Sequence, residues 1–334
     1  MESFRGKGDH RSLGRGMGLA FRGTIHRILA EMKVVEKLTP VSAGRVRLME
    51  ERVGRAYPHL LDEMQGIAEG AGLDYLQVLA YNFLTSVNWA CTNVAFCDGD
   101  HGPIIGKTND IGEDRAYYHV LADLTFPSGA RLLHFTWPGT IWSNAGINCH
   151  GIGQAGASVG TESVNGRGLE SNLLQRVILE ESTCLEEAVE IGMAYPAKNH
   201  AANITLADSE SVVVLEKGVG ESGLRFPRGE AIFATNHWVT GRMAPVCHFS
   251  SAEFEQNTRA RWSNLERLVR ESQGRHTTDR IKEILCDHAS PGAICQHGPL
   301  MHTTVAYVLQ PGPRRVEFAY GKPCETGFRQ FSME

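Results

Sequence analysis

The chain has 334 residues, 42% hydrophobic and 21% charged side chains and a formal net charge of -5, the balance of a globular protein with material for one large core or two smaller ones. No block of clustered Lys and Arg is present, which excludes a nucleic-acid binder or a polybasic membrane-surface protein. Apolar runs such as Val212-Val213-Val214-Leu215 fall far short of the about 20 residues that cross a bilayer, and the opening Met1-Glu2-Ser3-Phe4-Arg5-Gly6 lacks the apolar stretch of a signal peptide, so cytoplasmic residence is expected.

Residues 10 to 84 read as helical. Leu19, Ile25, Ile28, Leu29 and Met32 recur at helix-like spacing, and Arg45 to Arg55 and Leu60 to Glu69 repeat the mixture of apolar and charged positions. Pro40 and Pro58 punctuate the run. After Gly70-Ala71-Gly72-Leu73, Asp74 with Gln77 three residues on predicts a cap for a last helix through about Leu84. The region lacks obvious catalytic groups and reads as helices covering a sheet.

From Thr92 the pattern changes to short β-rich segments separated by Gly, Pro or Asp turns: Thr92 to Phe96, Pro103 to Lys107, Tyr117 to Leu124, Arg131 to Trp137 and Ile152 to Val159. Together they suggest one antiparallel meander. Helices over Leu169 to Glu180 and Leu185 to Met193 follow, then strands Asn203 to Ala207, Ser211 to Lys217 and Ala231 to Ala234. Helices over Glu253 to Arg270 and Asp279 to Cys286 precede closing strands Thr303 to Leu309 and Arg315 to Tyr320. Blocks of strands and helices in this order predict an α+β fold.

A cysteine sits at the seam between the helical and β-rich parts, in Trp89-Ala90-Cys91-Thr92-Asn93-Val94-Ala95. A thiol is weakly ionised at neutral pH and needs a base to act as a nucleophile. Cleavage between Ala90 and Cys91 would supply one on the same residue, because a free α-amine has a pKa of about 7.7–8.0. The plainer reading is a small buried residue at a strand start. Asp110, at the end of Gly106-Lys107-Thr108-Asn109-Asp110, can be carried near Cys91 by a hairpin, to hold a new ammonium group or orient the thiol; Asn-Asp is also a common turn pair. Ala234-Thr235-Asn236-His237 ends a strand with a carboxamide able to stabilise an oxyanion, or with a turn asparagine and a surface histidine. Trp137, Trp142, Trp238 and Phe249 could line an acyl pocket or pack as lids.

The remaining chemistry is thin. Eight cysteines (Cys91, Cys97, Cys149, Cys184, Cys247, Cys286, Cys295 and Cys324) are spread without a CxxC pair, as reduced thiols are, rather than as a disulfide framework or zinc knuckle. His237, His297 and His302 match no metal-ligand spacing, so no metal and no cofactor is expected.

These residues resemble the acyl-CoA:6-aminopenicillanate (isopenicillin N) acyltransferase-like family, the cysteine branch of the N-terminal nucleophile (Ntn) hydrolases, peptidase C45-like, and more distantly bile-salt hydrolases. The resemblance runs from about Gly14 to Pro323. It is carried by Leu60 to Gly72, Cys91-Thr92, Gly106 to Asp110, Asn144-Ala145-Gly146-Ile147-Asn148 with Gly151-Ile152, Thr235-Asn236-His237 and Ile294-Cys295-Gln296-His297.

The resemblance implies a four-layer αββα sandwich of two antiparallel sheets flanked by helices, made as an inactive precursor. Residues 1–90 would form a helical pro-segment or small chain and 91–334 the catalytic large chain, remaining associated as one Ntn-hydrolase domain after autocatalytic cleavage. Cys91 matches the family's nucleophile, Asp110 its aspartate and Asn236 its oxyanion-hole asparagine. Lys107 stands where bile-salt hydrolases place an arginine, keeping a cation but losing the planar fork; with His237 and Trp142 it is a candidate for contact with substrate. Ala90 replaces a frequent Gly, Ser158 stands where bile-salt hydrolases carry an asparagine, and a serine frequent near Ala201-Ala202-Asn203 is missing.

The leading expectation is a self-processing amidohydrolase acting on a small N-acyl or peptide-like amide. An N-acyltransferase using acyl-CoA or an amide donor is the alternative, and a member without activity that serves in binding or structure is a third. Homo-oligomer formation is left open.

Overall fold

The computed structural model describes residues 2–84, 90–111, 118–162, 168–195, 201–298 and 301–333. The chain divides into two units, residues 1–87 with 118–143 and residues 88–117 with 144–334. Trp89 and Tyr117 lie outside the described residues.

Among the described residues the first unit combines five helices with three strands: β1 (Glu2–Lys7), α1 (His10–Ala20), α2 (Arg22–Glu31), α3 (Pro40–Ala56), α4 (Pro58–Ala71), α5 (Tyr75–Leu84), β4 (Val120–Thr125) and β5 (Arg131–Thr136). Both prolines that punctuate the sequence sit in the first turn of a helix, α3 and α4, where a missing N–H costs nothing. Asp74 caps α5: its Oδ1 accepts from Leu76 N at 2.8 Å while its own N–H donates to Gln77 Oε1 at 3.2 Å.

The buried stripe of α1 and α2 is Leu13, Met17, Ile25, Ile28 and Leu29, with Leu19 left 58% exposed. α1 and α4 lie backbone against backbone. A Cβ on Gly14 would stand 2.0 Å from Glu63 O, on Gly18 2.4 Å from Ile67 O, on Gly66 2.1 Å from Arg11 O and on Gly70 2.2 Å from Arg15 O. These four positions therefore admit no side chain. β1 pairs with β4 in parallel and β4 with β5 antiparallel, so one ladder departs from the expected all-antiparallel pattern.

The second unit holds the remaining strands. β11 (Ala231–Ala234), β2 (Ala90–Gly99), β3 (Gly102–Ile111), β12 (His302–Gln310), β13 (Arg315–Tyr320) and β14 (Arg329–Ser332) form one sheet in that order. β6 (Ala145–Asn148), β7 (Gly153–Val159), β8 (Ala201–Ala207), β9 (Val212–Lys217) and β10 (Ser222–Arg225) form a run of antiparallel neighbours.

β7 and β8 face β2 and β3. α6 (Ser171–Glu181) and α7 (Leu185–Ala194) cover β6 to β9, and α8 (Ala252–Arg270) and α9 (Thr278–Leu285) cover the sheet built on β2 and β3. Four layers, αββα, result, and strands buried on both faces explain the continuous burial of β3, β8 and β12. The core beneath α8 and α9 joins Val94, Phe96, Leu265, Ile281, Ile284, Ala306 and Val308.

A single meander from Thr92 to Val159 is not what forms. β3 has β12 as its second neighbour, some two hundred residues on, while β4 pairs with β1 and β5. Local alternation marks a strand but carries no information about its partner. Among the described residues no helix is long and apolar enough to cross a membrane.

Candidate active site

The β2–β3 hairpin organises the site. Its register sets Cys91 opposite Asn109 and Asn93 opposite Lys107, and β12 adds Tyr307 opposite Lys107. Side chains alternate along a strand, so Cys91, Asn93, Lys107, Asn109 and Tyr307 share the face turned to β7. Asn93 Nδ2 donates to Ala155 O at 2.9 Å and Lys107 Nζ donates to Gly156 O. Cys91 Sγ lies 3.6 Å from Asn109 Oδ1, and Lys107 Nζ engages the same sulfur.

Cys91 is 2% exposed and Lys107 1%. Burial pushes the thiol up, against the pull of Lys107 and Arg261, and pushes the Lys107 amine down from the ordinary lysine value. Both effects favour a neutral pair of thiol and amine over two buried ions. Lys107 is thus an interior group beside the sulfur.

The opposite face of the hairpin carries Asp110, paired in register with Ala90. Thr303 Oγ1 lies 2.6 Å from its Oδ1 and Gln296 Nε2 2.8 Å from its Oδ2. Burial pushes the carboxyl up, and Arg261, both hydrogen bonds and Lys107 oppose it.

Arg261, on α8 and wholly buried, was not singled out by sequence reasoning and touches most of the site. Its guanidinium donates to Cys91 O at 2.6 Å, Thr92 Oγ1 at 3.0 Å, Asn236 Oδ1 at 2.7 Å and Asn257 Oδ1 at 2.9 Å. A guanidinium only donates, which orients every amide downstream. Asn257 must turn Oδ1 to Arg261 and Nδ2 to Gln296 Oε1, at 2.7 Å, and Gln296 then presents Nε2 to Asp110. The Thr303 hydroxyl accepts from Gln296 N at 2.9 Å and so spends its hydrogen on Asp110. Both oxygens of Asp110 accept, the pattern of a carboxylate.

The same argument orients Asn236. Its Oδ1 faces Arg261 and accepts from the Cys91 backbone N–H at 2.9 Å, while its Nδ2 donates to Ser158 O at 2.8 Å. Asn203 Nδ2 donates to the carbonyls of Thr235 and His237, both at 2.9 Å, and so clamps the residues on either side of Asn236.

His237 Nδ1 lies 3.1 Å from the hydroxyls of Thr235 and Thr258, and burial with Arg259, Arg261 and Arg225 nearby lowers its pKa to about 4. It is a neutral imidazole in the interior, where a surface histidine was one expectation. Trp142 belongs to the first unit. There its Nε1 donates to Asn82 O at 3.1 Å and its ring packs between Tyr81 and Trp137. A cleft of about 820 Å³ borders β10, β11 and α8, lined by Arg225, Phe233 and Trp262 among others; it contains none of Cys91, Lys107, Asp110 or Asn236. His237, His297 and His302 do not form one ligand group among the described residues; His297 stands with His288 and Cys324.

The second unit is thus a four-layer α+β fold in which Cys91, at the start of the central hairpin, lies among buried Asn236, Arg261 and Lys107. Residues 97–318 match the family described as acyl-coenzyme A:6-aminopenicillanic acid acyl-transferase. The chain belongs to that family, whose enzymes are amidohydrolases or acyltransferases. The matched span includes Lys107, Asp110, Asn236 and Arg261 and begins six residues after Cys91.

A search of the curated proteins finds no match. Among solved structures, the Caenorhabditis elegans ortholog of N-acylethanolamine-hydrolyzing acid amidase is similar at 14% identity over 66% of this chain and 93% of its own, with a TM-score of 0.47. A mutant conjugated bile acid hydrolase from Clostridium perfringens is similar at 11% identity over 73% and 92%, TM-score 0.48. Penicillin V acylase from Agrobacterium tumefaciens is similar at 9% identity over 73% and 86%, TM-score 0.44.

Proposed function

We propose that the chain is a cysteine Ntn amidohydrolase that cuts itself between Ala90 and Cys91 and then hydrolyses the amide bond of a small N-acyl or peptide-like substrate through an acyl group carried on Cys91. The observation that carries this reading is the position of Cys91, whose sulfur lies beside Lys107 while its backbone nitrogen is held by Asn236 at 2.9 Å.

In the uncut chain Lys107 takes the thiol proton and the sulfur attacks the Ala90 carbonyl. The peptide C–N bond breaks as the Cys91 nitrogen takes up a proton, leaving a thioester from Ala90 to Cys91 and a free amine. Water hydrolyses the thioester, releasing the Ala90 carboxylate and restoring the thiol. The uncut chain is therefore a zymogen, in keeping with a nucleophile only 2% exposed.

In the mature enzyme the α-amine of Cys91 accepts the thiol proton, the sulfur adds to the substrate carbonyl, and the Asn236 amide with a backbone N–H stabilises the oxyanion. Collapse expels the amine with that proton; water then attacks the acyl-enzyme. Asp110 and Arg261 set the charge around the new terminus. Contact of His237 with substrate is part of this reading. The eight free thiols suit a reducing, cytoplasmic setting.

Intact-mass measurement tests the scheme. Wild-type protein should yield pieces of about 10 kDa and about 27 kDa by proportional length, the larger beginning at Cys91, and Cys91→Ala should stay at 36.7 kDa without activity. A Cys91→Ala chain that still matures and turns over substrate sinks the proposal. Product analysis with added amines and acyl-CoA separates hydrolysis from acyl transfer, since only the latter forms a new amide.

A further inference from the structure

Outside the hairpin site, the second unit gathers soft and imidazole ligands at one point. Cys295 Sγ lies 3.5 Å from Cys324 Sγ, and His297 Nε2 lies 3.1 Å from Cys324 Sγ and 3.5 Å from Cys295 Sγ. Ligand atoms of His288, His297 and Cys324 all fall within 4.8 Å of one another. With Zn–S of about 2.3 Å and Zn–N of about 2.0–2.1 Å, a tetrahedral ion separates two sulfurs by about 3.8 Å and a sulfur from a nitrogen by about 3.5 Å. The three edges among Cys295, Cys324 and His297 are within a few tenths of an ångström of these, while His288 joins His297 and Cys324 only to within 4.8 Å and must turn inward to complete the set.

His288 carries the outer hydrogen-bond partner that metal ligands use. His288 Nδ1 lies 3.1 Å from the Cys286 carbonyl, which leaves Nε2 to bind. His297 Nδ1 faces Glu325 Oε1 at 3.7 Å while its Nε2 meets the sulfurs. The supporting loop is itself braced: Cys295 N donates to Asp287 O at 2.7 Å, and Asn264 Nδ2 donates to Asp287 Oδ1 and Gly292 O. Cys295 is fully buried, whereas His288 and His297 are exposed, which leaves an entry path.

We propose that Cys295, His297, Cys324 and His288 form a structural zinc site. Two thiolates and two neutral imidazoles give a complex of zero net charge, and each Zn²⁺ bound displaces one proton from each thiol. No such site was visible along the chain, because two ligands come from a C-x-H step, one from the matching step at Cys286-Asp287-His288 and one from beyond β13. The site also bears on the catalytic network. Its ligands Cys295 and His297 flank Gln296, which holds Asp110 at 2.8 Å.

Full-length protein made in zinc-supplemented medium and purified under reducing conditions should carry about one zinc per chain. Replacing it with Co²⁺ should give the intense d–d bands of a tetrahedral site and a thiolate-to-metal charge-transfer band. Cys324→Ser and Cys295→Ser should each lower the zinc content to under about 0.1 per chain, and His288→Ala should weaken binding at least about tenfold. Cys91→Ala should retain the ion, so the result stands apart from the fate of the proposed nucleophile. Wild-type protein that neither carries zinc nor binds Zn²⁺ or Co²⁺ overturns the proposal, whatever the variants do. Zinc retained by the Cys295→Ser/Cys324→Ser double variant, or lost with Cys91→Ala, overturns it equally.

Discussion

Lys107 shows how burial changes what a residue can do. An exposed lysine is a cation seeking anions; this one, 1% exposed and beside a thiol, has its amine value lowered by burial and is suited to accept a proton. Self-cleavage should speed up as pH rises through that lowered value, because the amine must be neutral to act. Lys107→Met should slow formation of the large chain by at least about 100-fold, the usual contribution of a general base. Lys107→Arg should be nearly as slow near neutral pH, since a guanidinium stays protonated. Rates of chain appearance across pH check this, and a Lys107→Arg profile identical to wild type would remove the base role.

His237 carries a second consequence at the same scale. Its folded pKa of about 4 lies below the ordinary value of 6.5, so the unfolded chain binds the proton first. The stability it permits is complete above pH 6.5 and is lost as pH falls toward 4, by up to about 3 kcal/mol. Urea unfolding at pH 7 and pH 4.5 should show a smaller loss for His237→Gln than for wild type; equal losses would mean that the imidazole is protonated in the folded chain.

Among the elements, α1 and α4 are held together by what they lack. Gly66→Ala places a methyl group 2.1 Å from a backbone oxygen that cannot move aside, so the helices must part. A loss of about 2–4 kcal/mol is expected, overpacking outweighing the gain in helix propensity. Gly44, in α3, has nothing within 4 Å of its Cβ position. Gly44→Ala should stabilise by about 0.5–1 kcal/mol. Thermal midpoints of the two variants would expose the error if both moved the same way.

The site residues also owe their placement to elements. Asp110 follows Cys91 into range through the β2–β3 hairpin, which local pattern predicts. Arg261 reaches the same point from α8, and nothing in the pattern of that helix separates a buried arginine from its solvated neighbours Arg259 and Arg267. Burial of a charge is set by what packs over it, in this case β2 and the strand end that carries Asn236.

For the whole molecule, cleavage after Ala90 would leave the first unit shared between two chains. β1, from the small piece, pairs with β4 of the large one, and Asn82 on α5 accepts from Ile141 N and donates to Gly139 O. The pieces should therefore co-elute on gel filtration and separate only in denaturant. Separation of a cleaved chain under native conditions would show that these ladders do not hold the halves together.

The helices, most strands, the hairpin and the cysteine at its start were legible along the chain, because period, caps and turn residues act over a few positions. β1, β6, β10 and β14 were not: β1 has six residues and the others four, and none carries a clear run of β-branched or aromatic residues. Sequence by itself determined the α+β class and the identities of Cys91, Asp110 and Asn236 as site candidates. Only the tertiary structure decided which strands pair, that Arg261 orients the amides leading to Asp110, that Lys107 is interior, and that Cys295, His297, Cys324 and His288 meet. Local propensity is read within a few residues, whereas partners, burial and charge environment are set by segments that approach one another only when the chain has folded.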